Sequence, residues 1–268
     1  MLKGNDDDSD AHGTGPEVEP EQPTAAAKVG GWVKELLIVV VLGLVVSTLL
    51  RTFVFQMFEI PSGSMEDTLQ VGDRVAVQKI TPFARGDVVV FEDPGGWLPE
   101  MGPVERTPLQ RGLEFVGLLP NSSDQYLIKR VIGMPGDVVI CCDVEGRLLV
   151  NGHPLEEGDY LYREGGITVA PSEIAFRVTV PEGRIFVMGD HRNSSADSRC
   201  HLNDVSVDGS RGENAFVPTE NVVGVAFAIT FPFSRFQTLS RPATFEQVPA
   251  PEGPAPAKPT IDPAGVSC

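Results

Sequence analysis

The sequence is poor in cysteine, histidine, tyrosine and tryptophan, with 4, 4, 3 and 2 residues among 268. Four cysteines are too few for a scaffold held by disulfides. Cys141 and Cys142 are adjacent and lack the ligand spacing of a zinc knuckle, so Cys141, Cys142, Cys200 and His201 do not read as a metal site. A disulfide involving Cys200 suits a compartment outside the membrane, but no partner can be read from spacing. Positive charge is scarce too: 21 Lys and Arg stand against 37 Asp and Glu, a net charge of -16. A general nucleic-acid binder needs a basic face to neutralise phosphates, so that class is excluded. Long apolar runs are absent with one exception. The second candidate, Val222–Phe233 (VVGVAFAITFPF), is too short to cross a bilayer as a helix and reads as a strand.

What is present supports a packed core: hydrophobic residues make up 41% and charged residues 22%. With 28 Gly and 23 Pro the chain is rich in turns. Its length predicts one or two domains. Residues 1–30 hold seven acids and two lysines among Pro, Gly, Thr and Ala, and read as a disordered acidic tail. Arg241–Cys268 is rich in Pro and Ala and reads as an unstructured spacer.

The exceptional run is Leu36–Leu50 (LLIVVVLGLVVSTLL), whose apolar character continues past Arg51 through TFVFQMF to Phe58. Lys34 and Arg51 can snorkel to the two interfaces and Trp32 can anchor one. No small-x-small cleavage site follows, so the run predicts an uncleaved transmembrane anchor over 31–52. Lys28 and Lys34 on one side against Arg51 on the other favour a cytoplasmic N-terminus and an extracytoplasmic remainder. Phe53, Phe55 and Phe58 suit the outer membrane–water interface.

Beyond the anchor, residues 53–240 read as a mainly β, antiparallel domain. Arg74–Gln78 alternates polar and apolar residues, the period of a half-buried strand. Asp87–Phe91, Tyr126–Ile132, Val138–Cys142, Arg147–Val150, Phe176–Val180, Ile185–Met188 and Val222–Ile229 follow between turn signals. Pro135-Gly136 suits a type II turn and Asn151-Gly152 a two-residue hairpin. Residues 94–125 lack periodicity, carry several prolines and read as an insertion between strands.

Three polar clusters carry the chemistry. In Ile60-Pro61-Ser62-Gly63-Ser64-Met65, two serines flank a glycine that lets an amide N–H and a hydroxyl converge, as an oxyanion hole requires. In Tyr126–Ile132, Lys129 shares a face with Leu127 and Val131. Apolar neighbours strip its hydration, lower its pKa and let a neutral amine accept a serine proton. Met188–Arg199 (MGDHRNSSADSR) is dense in donors and acceptors directly after an apolar strand.

These blocks, in this order behind an anchor, resemble the type I signal peptidases of bacteria: PSGSM, then Gly72-Asp73, then Lys129–Asp137 (KRVIGMPGD), then Met188-Gly189-Asp190 and Asn193–Arg199. The resemblance runs from the anchor to about Phe233. It implies a Ser/Lys dyad endopeptidase that removes signal peptides from exported pre-proteins, after small residues at the first and third positions before the cut. It implies Ser64 as nucleophile, Lys129 as general base, and Ser62 with the Ser64 N–H as oxyanion hole. Ser195 would orient Lys129, with Asp197 and Arg199 as a supporting charged pair and Asp190 with Arg130 as a structural ion pair. Ile60, Met65, Leu69 and Ile128 would line the substrate pocket. Partners would be signal peptides, the lipid bilayer and the export machinery; no metal or organic cofactor is needed. Asp67 stands where proline is usual in the family, and His191, Asn193 and Ser194 where many members carry Asn, Asp and Asn. A Ser/His/Asp hydrolase using His191, a self-cleaving repressor and a β-domain that only binds partners are the competing readings. The repressor would need a DNA-binding domain that the acidic tail and anchor do not supply.

Overall fold

The computed structural model describes residues 25–99, 107–115, 126–205 and 209–262. Residues 1–24 of the expected disordered tail and most of the proposed insertion lie outside the described residues; the tail expectation fails for residues 25–30, which already belong to the first helix. The chain divides into two units, residues 1–45 and 46–268.

The helix Ala25–Phe53 contains the apolar stretch Trp32–Leu50, 19 residues with mean hydropathy 2.4 and none of it buried. At 1.5 Å per residue this stretch is about 28 Å long, enough to cross a hydrocarbon core. The span is reached by starting at Trp32, not by running on to Phe58. Phe55–Glu59 is a strand instead, paired antiparallel with Arg74–Gln78. Its alternation turns Gln56 and Phe58 inward, so Phe58 belongs to the core and not to a membrane interface, whereas Phe53 and Phe55 are exposed.

The second unit is antiparallel β structure in two main sheets, as its sequence pattern predicts. The larger runs Phe55–Glu59, Arg74–Gln78, Val222–Phe231, Val88–Glu92, Tyr126–Gly133, Arg184–Met188, Val217–Pro218, with Gln237–Thr238 added to Val222–Phe231. The smaller runs Thr260–Asp262, Phe176–Thr179, Val138–Cys141, Leu148–Val150, His153–Pro154. Alternation along Tyr126–Gly133 feeds separate apolar clusters: Ile128 packs with Ile60, Met65, Leu69 and Val90, while Leu127 and Val131 pack with Val89 and Phe91. The hairpin at Asn151-Gly152 forms with both residues at positive φ, 51° and 76°. Gly136 takes φ 90° after Pro135, as a type II turn demands. Asp137 closes that turn, accepting from the Met134 N–H at 2.7 Å and pairing with Arg85. Cys141 and Cys142 are disulfide-bonded to each other, and Cys200 is disulfide-bonded as well.

The expectation of an unstructured segment after Arg241 fails for residues 241–262. Phe245 and Val248 are buried in the cluster of Ile132, Phe186 and Phe216, the Arg241 guanidinium pairs with Asp87 at 2.9 Å, and Thr260–Asp262 pairs with Phe176–Thr179. Pro-rich composition cannot form a central strand, but it suits an extended strap whose few apolar side chains find pockets. The described part of residues 94–125 holds a helix, Pro108–Phe115, and Trp97, whose ring packs edge-on against Phe91 and whose Nε1–H donates to Asn214 C=O at 2.8 Å.

Candidate active site

Strand pairing carries Lys129 into the middle of the larger sheet, opposite Val89. Ser64 sits in a single 3-10 turn, Gly63–Met65, closed by the Glu66 N–H on Gly63 C=O at 3.0 Å and followed by the Leu69 N–H on Met65 C=O at 2.7 Å. The two side chains meet: Lys129 Nζ hydrogen-bonds Ser64 Oγ, and both residues are buried, 3% and 7% exposed. Burial is the main reason that the Lys129 pKa falls from 10.5 to about 8. The negative charges of Asp197 and Asp190 oppose the shift and the Arg199 cation adds to it. A neutral amine in contact with a hydroxyl can take its proton, which is the first step of nucleophilic acyl transfer.

Ser62 is exposed, with extended backbone, and its Oγ lies 3.5 Å from Ser64 Oγ. The Asp197 carboxylate takes two bonds from the Arg199 guanidinium, at 2.9 and 2.8 Å, and one from the Gly189 N–H at 2.9 Å. Burial pushes its pKa up, but Arg199 and the Gly189 N–H outweigh that and hold it below the usual carboxylate value. Arg130 and Asp190 form the other buried pair, at 2.8 and 2.5 Å; Thr68 Oγ1–H donates to Asp190 at 2.6 Å, and Tyr160 lies under the guanidinium at 4.2 Å. Gly189 is required for closeness. A Cβ there would lie 2.2 Å from Ser195 Oγ and 2.4 Å from the Ser64 carbonyl oxygen.

The signal peptidase family model, peptidase S26, matches residues 31–231. This chain belongs to the signal peptidase family. It is 38% identical to a probable signal peptidase I of Mycobacterium leprae over 230 residues, covering 76% of this chain and 78% of that one. It is 34% identical to signal peptidase I of Mycobacterium tuberculosis, over 85% of this chain and 82% of the relative. With signal peptidase I of the cyanobacterium Leptolyngbya laminosa it shares 32%, over 86% and 96%. The chain is a serine endopeptidase with an N-terminal helix apolar enough for membrane anchoring.

Against the residues expected for a signal peptidase, the structure brings together Ser62, Ser64, Lys129, Asp190 with Arg130, and Asp197 with Arg199. Ser195 is buried beside Gly189, but its Oγ makes no hydrogen bond, so the expected bond to Lys129 is not formed. The hydroxyl lies on the side where a Gly189 Cβ would stand, 2.2 Å from that position. Ile60, Met65, Leu69 and Ile128 share one apolar cluster, each 7% exposed or less, and so back the site instead of opening into a pocket. His191 does not touch Ser64 Oγ; its Nδ1 lies 3.2 Å from Gly63 C=O and 3.0 Å from Glu66 Oε2, which removes the geometric basis of a Ser/His hydrolase. Asp67 has φ 83°, which a proline ring cannot adopt, so the residue usual in the family at this position would not fit the turn seen here.

Sequence reasoning misses one charged group. Arg192 pairs with Glu157 at 2.6 Å, both wholly buried, and Tyr160 O–H donates to the same carboxylate at 2.5 Å. Arg192 stands in a block already dense in charge, but nothing about Glu157 in its loop marks it as a partner.

Proposed function

We propose that this chain removes signal peptides from exported pre-proteins, with Ser64 as nucleophile and Lys129 as general base. The observation that carries the reading is the buried contact between Lys129 Nζ and Ser64 Oγ. Neutral Lys129 takes the Ser64 proton as the hydroxyl oxygen attacks the scissile carbonyl carbon. The tetrahedral oxyanion is held by the Ser64 N–H and the Ser62 hydroxyl. Collapse breaks the C–N bond, the lysine proton goes to the leaving amine, and an ester to Ser64 remains. Lys129 then deprotonates a water, whose attack releases the signal peptide and restores the serine. Asp197 with Arg199 and Asp190 with Arg130 hold the sheet and loop that carry the dyad. Ser195, buried with an unused hydroxyl beside the Ser64 carbonyl, is assigned to positioning. Ile60, Met65, Leu69 and Ile128, buried in one apolar cluster, are assigned to backing the dyad and not to contacting substrate.

The anchor is assigned to the cell membrane over 31–52, with residues 1–30 cytoplasmic and the β domain outside, on the excess of Lys28 and Lys34 over Arg51. Signal peptides presented by the bilayer and the export machinery are the partners of this arrangement. The direct experiment incubates the detergent-solubilised protein with a secretory precursor and sequences the new N-terminus. Cleavage after a small-x-small motif is expected, abolished in Ser64→Ala and Lys129→Ala. Cleavage by Ser64→Ala at the native rate would reject the dyad. Labelling of single engineered cysteines on either side of the helix reports the orientation.

A further inference from the structure

The peptide group joining Gly63 to Ser64 has two ends with different duties. Its N–H, on Ser64, is the donor assigned above to the oxyanion hole. Its C=O, on Gly63, points the opposite way, because the peptide is planar and trans. That oxygen accepts the Glu66 N–H at 3.0 Å and lies 3.2 Å from His191 Nδ1. The same ring nitrogen lies 3.0 Å from Glu66 Oε2. Both neighbours are acceptors, so the ring proton is assigned to Nδ1. The next carbonyl, that of Ser64, accepts the His191 backbone N–H at 3.1 Å. Residue 191 therefore grips the peptide planes on both sides of the nucleophile, one with its ring and one with its main chain.

The ring is itself held in place. It stacks on Tyr162 with centroids 3.8 Å apart and planes inclined by 27°, and the Tyr162 N–H donates to Asp190 C=O at 3.2 Å. The residues on either side of His191 are tied into the buried pairs of Asp190 with Arg130 and Arg192 with Glu157.

We propose that His191 is a positioning residue of the oxyanion hole, acting through the Gly63 carbonyl. The Nδ1–H bond to that carbonyl opposes rotation of the peptide plane, which would swing the Ser64 N–H away from the developing negative charge. It also draws electron density toward the carbonyl oxygen, which makes the N–H at the other end a stronger donor. His191 touches neither substrate nor reacting atoms. The inference rests on the assignment of the Ser64 N–H to the oxyanion hole. Because the oxyanion exists only at and near the transition state, the effect falls on kcat and spares KM.

The test uses the full-length, detergent-solubilised protein, a peptide substrate and a peptide boronic acid with alanine at the reacting position. Its trigonal boron accepts Ser64 Oγ, the serine proton passes to Lys129, and the tetrahedral adduct presents an oxygen to the oxyanion hole. His191→Ala is expected to lower kcat about tenfold, less than the ~100–1000-fold loss from deleting a direct donor. Its KM should stay within twofold, and its boronate affinity should fall in step with kcat. His191→Asn, whose side-chain N–H can reach the same carbonyl, should recover most of both. Should His191→Ala not fold, His191→Val and His191→Asn make the comparison, and only the second should retain kcat. Equal kcat in the donor and non-donor variants, or a loss confined to KM, overturns the proposal while a Ser64–boron adduct leaves the dyad standing. If the native protein forms no adduct on Ser64, the dyad reading falls and this inference with it.

Discussion

Lys129 is the residue on which activity and stability pull apart. Holding its pKa near 8 leaves about one enzyme in ten with a neutral amine at pH 7. The acid limb of kcat/KM is therefore expected to rise with pH and to level off above about 8, measured with a soluble peptide substrate. The same burial weakens the fold. Between about 8 and 10.5 the unfolded chain binds the proton that the folded chain has lost, so stability rises with pH across that window. Below it the full penalty, about 3 kcal/mol, is present. Lys129→Met removes it and leaves Asp197 paired with Arg199. Chemical denaturation at pH 7 should find this inactive variant the more stable, with the difference gone above pH 10.5. Ser64 and Lys129 are legible in the sequence only through the ordered blocks that resemble the family, because a Ser-Gly-Ser turn alone reads as readily as a polar loop and a strand lysine alone as an edge residue reaching solvent. His191 is not, since its work goes through a main-chain carbonyl and no side-chain pattern encodes that contact. The missing bond at Ser195 is a matter of where one hydroxyl lies, which residue spacing does not express.

Among the elements, the strands are readable from alternation because each has one face in an apolar cluster, as Arg74–Gln78 and Tyr126–Gly133 do. The strand Phe55–Glu59 hides behind the anchor: Phe55, Met57 and Phe58 prolong the apolar run, and only the inward turn of Gln56 betrays period two. The helix Pro108–Phe115 has a readable start that periodicity overlooks. Thr107 and Gln110 form a capping box, with the Gln110 N–H on Thr107 Oγ1 at 3.3 Å and the Thr107 N–H on Gln110 Oε1 at 3.0 Å, and proline fills the first helical position. The strap after Arg241 defeats composition, because Phe245 and Val248 carry its packing while prolines dominate its count. Phe245 lies over Gly86, where a Cβ would meet its ring at 2.6 Å. Phe245→Ala should therefore cost about 3–5 kcal/mol in urea unfolding, comparable to other buried phenylalanines, although Ser64 and Lys129 are not among its neighbours in the core cluster. A loss under 1 kcal/mol would mean that the strap rests on the domain without contributing to it.

For the whole molecule, the anchor is the most legible part and its far end the least, since hydropathy reports length well and boundaries poorly. Val41, near the middle of the apolar stretch, makes the requirement measurable: Val41→Arg introduces a charge costing roughly 3 kcal/mol at the centre of a spanning helix. The fraction of protein extracted from membranes by alkaline carbonate should rise accordingly, with peptide cleavage by the extracted protein unchanged. Ser64 and Lys129 stand 65 residues apart in the chain, and nothing local brings them together. Their meeting waits on long-range strand pairing, which forms late because its loops must close first. A chain whose sheets are still unpaired therefore keeps its serine and lysine apart, and no peptide bond, its own included, meets an assembled pair until the domain has closed. In refolding from urea, peptidase activity should return no earlier than the burial of Trp97 seen by fluorescence.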